Sequence, residues 1–147
     1  MKTIEQLAQE RILVLDGAMG TMIQRLGLTE ADFHPPGMED HPVLLQGNNE
    51  LLSLSRPEAI TRIHEQYLEA GADIIETNTF SATRIAQAEH QCEHLVRELN
   101  LRSAQLAKAA CAKFIAMDPS KPRFVAGSIG PTNKTASLSP DVNDPGF

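Results

Sequence analysis

Three short stretches carry residue types that could do chemistry. They are Asp16-Gly17-Ala18-Met19-Gly20-Thr21, Glu76-Thr77-Asn78-Thr79-Phe80 and Gly127-Ser128-Ile129-Gly130-Pro131-Thr132-Asn133. Each follows an apolar run and is rich in small or polar residues. A carboxylate such as Asp16 can hold an ammonium group, and a glycine such as Gly17 lets backbone N–H groups approach a carboxylate. Asp16 and Gly17 could therefore bind the two ends of an amino acid. The same residues could equally form a local turn or helix cap. Asn78 and Thr79 offer hydrogen bonds, though turn and helix-start roles are common for such residues. Glu76 is harder to explain locally. If Ile75 faces one side of a strand, Glu76 faces the other, and an inward carboxylate needs a partner or a ligand.

Other patterns do not support a site. Gly17 and Gly20 lack the third glycine of a dinucleotide fingerprint, and no Gly-Lys-Ser/Thr of a P-loop is present. His90, Cys92 and His94 are close in sequence. On a continuous helix, though, Cys92 points away from the two histidines, and a polar surface helix explains the group. His64-Glu65 begins like a zincin motif, but Leu68 stands where the second histidine is required. Cys92 and Cys111 would lie about 28 Å apart on one helix, too far to share a metal. Asn133-Lys134-Thr135 matches a glycosylation sequon, but nothing marks the chain as secreted. No metal site is expected among these residues.

The elements that position the three stretches alternate. A short amphipathic helix is expected over residues 4–10. Ile12-Leu13-Val14-Leu15 is an apolar run without alternation, as in a strand buried on both faces. Residues 21–26 suggest a helical turn. Residues 27–54 hold Pro35-Pro36-Gly37, His41-Pro42 and Gly47-Asn48-Asn49 and no long periodic segment, so they read as an excursion over the fold. Ser55-Arg56-Pro57-Glu58 reads as a capping box opening a helix that Gly71 ends. Ala72 to Thr77 is a second strand. Ser81 is expected to cap a helical region running to about Met117, interrupted near Gln91 to Glu93. Asp118-Pro119 breaks it, and Arg123 to Ser128 is a third strand. The tail to Phe147 is polar and turn-rich. This order implies parallel strands with helical crossovers, so either an open doubly wound sheet or part of a (β/α)₈ barrel. In both, ligands bind beyond the carboxyl ends of the strands, where all three stretches fall.

Composition narrows the function. With 147 residues the chain is long enough for one domain with a core, but a full barrel takes about 250. A net charge of −6 without any Lys/Arg block argues against nucleic acid as a partner. No secretory h-region or apolar span is visible, so neither a membrane association nor export is expected and the cytoplasm is the default. Two cysteines do not make a disulfide framework.

Ile12 to Thr21 resembles the opening strand of the homocysteine S-methyltransferase family, and Gly71 to Phe80 resembles its second. Two longer stretches are similar to the cobalamin-dependent methionine synthase branch, rather than to betaine- or S-methylmethionine-using relatives. They are Gln46 to Leu52 with Ser55-Arg56-Pro57, and Ala126 to Ser137 with Ser139 to Pro145. The likeness runs from about Leu7 to Phe147. It implies an α/β fold, a partial (β/α)₈ TIM barrel comprising the first three strands with their helices. Residues 1–147 would be the N-terminal part of a homocysteine-binding domain, incomplete at the C-terminus.

The parent enzyme would move a methyl group from methylcobalamin to homocysteine, giving methionine, with methyltetrahydrofolate recharging the cofactor. Its partners would be folate, cobalamin and activation domains of the same chain. Carried over by position, Asp16, Gly17 and Ala18 would hold the amino-acid end of homocysteine. Glu76, Asn78 and Thr79 would line the same pocket. The family holds zinc on three cysteines, one alone and two adjacent. No adjacent pair exists here, and neither Cys92 nor Cys111 matches them. By itself this chain is expected to be inactive and to bind neither zinc nor cobalamin. A non-catalytic remnant or binding module of the same fold is the alternative reading.

Overall fold

A computed structural model describes residues 2–134. Residues 135–147 carry the end of the last family-like stretch, the sequon's Thr135 and the turn-rich tail, and lie outside the described residues. The helices are α1 (Ile4–Glu10), α2 (Met19–Gln24), α3 (Leu52–Ser55), α4 (Pro57–Glu69), α5 (Arg84–Gln87) and α6 (Val96–Met117). The strands are β1 (Ile74–Glu76) and β2 (Phe124–Ala126).

β1 and β2 pair in parallel, with Ile74 opposite Phe124 and Glu76 opposite Ala126. The Ile12–Leu15 run lies on the other side of β1 through a parallel bridge between Leu15 and Ile74. Asp16 N–H donates to Ile74 O at 2.9 Å, and Asp73 N–H to Val14 O at 2.8 Å. Three chain segments therefore run side by side in sequence order, with α4 and α6 as crossovers, which is the expected α/β alternation. The first segment is not buried on both faces, as its composition suggested. Ile12 is 89% exposed and Val14 53%, because this segment is the sheet edge and no described element covers it.

Ile75 is fully buried and packs with Leu68, Ala107, Ala110, Cys111 and Phe114 of α4 and α6. Strand alternation turns Glu76 to the opposite face. The excursion folds against the other half of the two helices. Its Leu45, Leu51 and Leu52 are buried with Ile60, Ile63 and Leu99 in a second cluster. It contains helical turns, Glu30–Phe33 and Asn49–Leu51, that no long periodicity announced.

Two caps differ from expectation. Ser55 donates its hydroxyl to Leu51 O, one turn back, so it does not cap α4, whose N-cap Arg56 makes no side-chain capping bond. Thr83 rather than Ser81 caps the next helix, accepting from Ala86 N–H at 3.2 Å. Gly71, at φ +111°, ends α4 in the left-handed region that glycine tolerates. The interruption expected near Gln91 is real and wider than expected. Gln91 has φ 55°, and two 3-10 turns separate α5 from α6. His90 and His94 thus stand on different turns, and Cys92 between them is fully buried rather than on a surface helix. Among the described residues no helix is long and apolar enough to cross a membrane.

Candidate functional site

A cavity of about 390 Å³ opens beyond the carboxyl ends of the parallel segments. Such a volume suits a small metabolite. All six residues singled out in the sequence line it: Asp16, Gly17, Ala18, Glu76, Asn78 and Thr79. Phe80 and Ser128, from the same stretches, also line it, and so do Gly47, Asn49, Glu50 and Ser81, which were not foreseen. Asn49 and Glu50 come from the excursion. Their only signal was the Gln46–Leu52 stretch, which read as a mark of kinship and not as a pocket wall.

Asp16 sits where its segment leaves β1. Its Oδ2 accepts from Glu76 N–H at 2.9 Å, which ties the two strand ends together. Its Oδ1 is buried with no partner among the described residues. Burial pushes the carboxyl up to about 6, against the pull of the Glu76 N–H, and the charge of Glu76 adds to the rise.

Gly17 is closely packed. A Cβ there would meet Tyr67 of α4, with the hydroxyl oxygen at 3.2 Å and a ring carbon at 3.3 Å. The Tyr67 hydroxyl donates to Ala18 O at 3.3 Å, so one side chain supports both residues from below.

Asn78 is buried, and its amide hydrogens are already committed. They go to Asn49 O at 2.8 Å and Ser53 Oγ at 3.1 Å. Ser103 of α6 completes the network, 2.7 Å from Ser53 Oγ and donating to Asn78 O at 3.1 Å. What Asn78 has left for a ligand is its side-chain carbonyl, an acceptor. Thr79 is also buried and committed. Its hydroxyl donates to Ser128 O at 2.8 Å and receives that of Thr77 at 2.6 Å, while Ser128 N–H donates to Thr77 Oγ1. These hydroxyls stitch the end of β1 to the end of β2. Glu50 is 6% exposed and holds Ser81 N–H at 2.8 Å.

Among the described residues the lining therefore contains three carboxylates, from Asp16, Glu50 and Glu76, and no Lys, Arg or His. Such a wall attracts a cationic group, which would supply the missing partner of Asp16 Oδ1.

Zinc does not fit the residues present. Cys92 lies in the excursion-side cluster, 4.0 Å from His41 Nε2, and Cys111 lies in α6 against Phe124 O. Burial raises both thiols, Cys111 to about 11, which opposes the thiolate a metal requires. Among the described residues no three or more His, Cys, Asp or Glu side chains gather into a possible metal site.

Parallel segments joined by helical crossovers, with a cavity beyond their carboxyl ends, define an α/β unit of the ligand-binding kind. The chain belongs to the homocysteine S-methyltransferase family, whose sequence model matches residues 13–146. Its structure is similar to the homocysteine methyltransferase MmuM from Escherichia coli in three forms. For the metallated form the TM-score is 0.67 at 27% identity, covering 87% of this chain and 41% of that one. For the oxidized form the values are 0.68, 29%, 87% and 40%. For the apo form they are 0.58, 27%, 88% and 40%. The chain thus spans about two-fifths of the length of these relatives.

Proposed function

We propose that this chain forms part of the homocysteine pocket of a cobalamin-dependent methionine synthase, whose barrel begins with the 12–16 segment, β1 and β2. Asp16 Oδ1 takes the ammonium group of homocysteine, with Glu76 and the side-chain carbonyl of Asn78 on the same wall. The backbone at Gly17 and Ala18 takes the carboxylate. Thr79 shapes the pocket by holding Ser128. The observation that carries this reading is the buried Asp16 oxygen, unpartnered among the described residues, in a cavity to which those residues bring acceptors and no cations, within a homocysteine methyltransferase domain.

The reaction is methyl transfer from methylcobalamin, recharged by methyltetrahydrofolate, to the homocysteine sulfur. The residues described here bind and orient the amino-acid end. Activation of the sulfur falls to groups outside them, since neither cysteine reaches the cavity. The folate, cobalamin and activation domains of the same protein are the partners. The cytoplasm is the proposed compartment, in keeping with two unpaired cysteines.

Calorimetry of homocysteine binding to the full protein tests the pocket. Asp16→Asn is expected to weaken homocysteine by about tenfold or more, the scale of a charge-assisted bond, and to leave the fold intact. Unchanged affinity in Asp16→Asn would sink the assignment. Methyl transfer from methylcobalamin, against betaine and S-methylmethionine as alternative donors, tests the branch.

A further inference from the structure

The wall of the cavity supplied by Gly47, Asn49 and Glu50 belongs to the excursion, which has no strand or long helix to hold it. The stretch leading into that wall is held by one carboxylate. Glu30 Oε1 accepts from Leu45 N–H at 2.7 Å, and Oε2 accepts from Gln46 N–H at 2.7 Å. These are the two residues immediately before Gly47. The next anchors are the paired amides of Asn48 and Gln87, the Asn78 amide on Asn49 O, and Glu50 on Ser81 N–H.

Glu30 is held in turn by His34. The ring Nε2 lies 2.8 Å from Glu30 Oε1, and Nδ1 lies 2.6 Å from Met38 O. A backbone carbonyl only accepts, so Nδ1 carries a hydrogen. Glu30 accepts two backbone N–H groups and is a carboxylate, so Nε2 carries one as well. The ring that satisfies both contacts is an imidazolium. The titratable groups facing it are Glu30, on its own turn, with Glu39 and His41 from the following loop. The Met38 carbonyl and the Glu30 carboxylate raise the ring above its ordinary value, with Glu39 adding to the effect. For Glu30, burial is outweighed by Leu45 N–H, His34 and Gln46 N–H, which hold it below the usual range.

We propose that Glu30 and His34 are positioning residues for the cavity, a charged clasp that fixes Gly47, Asn49 and Glu50 and makes ligand affinity follow the charge of His34. The choice of ligand rests on the homocysteine reading; the clasp itself does not. Loss of the His34 proton removes one of its two donors and the charge that steadies Glu30. The excursion then relaxes about Gly47, whose φ of +99° allows a swing that other residues resist.

The test uses the full protein with ring-labelled histidines and labelled backbone amides, titrated from about pH 6.5 to about pH 8.5. His34 is expected to titrate above its ordinary value, with the Gly47 and Asn49 amides shifting at the same midpoint. Homocysteine affinity is expected to fall about threefold to tenfold across that midpoint. The step should be missing in His34→Gln and in Glu30→Gln. Homocysteine's own ionisation is common to all three proteins and cancels in the ratio. A His34 midpoint at or below the ordinary value overturns the proposal without using any variant. So does an affinity step that persists in His34→Gln, although homocysteine binding itself would then stand. If the amides follow His34 but homocysteine does not bind at any pH, the clasp is upheld and the ligand assignment fails.

Discussion

Tyr67 packs so closely against Gly17 that a side chain there would press on its ring. A Cβ on Gly17 would lie 3.2 Å from the phenol oxygen, and the same hydroxyl holds Ala18 O. The strand end that carries Asp16 is thus seated on α4. Gly17→Val is expected to displace the ring and cost about 1–3 kcal/mol, as overpacking does. It should also weaken homocysteine. Tyr67→Phe should cost only about 0.5–1.5 kcal/mol, for one hydrogen bond. Thermal melts paired with binding titrations check both. A Gly17→Val protein as stable and as competent as wild type would contradict the packing account.

Asp16 sets an acid limit on binding. Its carboxyl is raised to about 6, so the folded protein holds its proton at a pH where an exposed aspartate has lost it. An ammonium ligand needs the ionised form. Homocysteine affinity is expected to drop as pH falls through about 6 and to become flat there in Asp16→Asn. Binding measured between about pH 5 and about pH 7 decides this.

His64 sets an acid limit on stability. It is fully buried, neither ring nitrogen has a partner among the described residues, and burial lowers it to about 4 from 6.5. The unfolded chain therefore binds the proton more tightly. Stability is complete above the unfolded value and is lost as pH falls from about 6.5 towards about 4, by about 3 kcal/mol. His64→Leu should abolish that slope and be no less stable at neutral pH, because it removes two unsatisfied polar atoms. Denaturant midpoints across this range are the measurement. An unchanged slope in His64→Leu would assign it elsewhere.

Gly130 is expected to be intolerant of any side chain. A Cβ there would come within 2.6–2.7 Å of the Phe80 ring and of Phe80 O. The backbone oxygen cannot yield as a flexible side chain would, and Gly130 N–H donates to it at 2.8 Å. Gly130→Ala should cost about 2 kcal/mol or more, visible as a lower melting temperature. A neutral substitution would mean that the Phe80 turn is free to shift.

The 147-residue chain by itself is expected to associate or melt without cooperativity. Ile12, Val14, Leu15 and Ile129 are all at least half exposed along the open sheet edge and its turns. Sedimentation and a thermal melt of the isolated chain test this. A monomer with a sharp transition would show that the edge needs no cover.

Much of this was legible in order and position. The alternation of apolar runs with periodic segments identified β1, β2, α4 and most of α6. The polar clusters after each run marked the end of the sheet where the cavity lies. Asp16, Glu76 and Asn78 were readable because strand alternation and strand-end placement are local rules. Fine caps were not: Ser55 and Ser81 have the right types, but each has a nearer or better partner in three dimensions.

What the sequence by itself determined is the kinship, the parallel α/β order and the residues at the strand ends, since those depend on periodicity and short motifs. Only the tertiary structure decided that Asn49 and Glu50 reach the cavity, that the Asn78 and Thr79 donors are already committed, and that Gly17 answers to Tyr67. The reason is separation along the chain. Residue 30 meets 45 and 46, residue 67 meets 18 and residue 78 meets 49, through hydrogen bonds whose partners are 15 to 50 positions apart, and no local pattern records such a meeting.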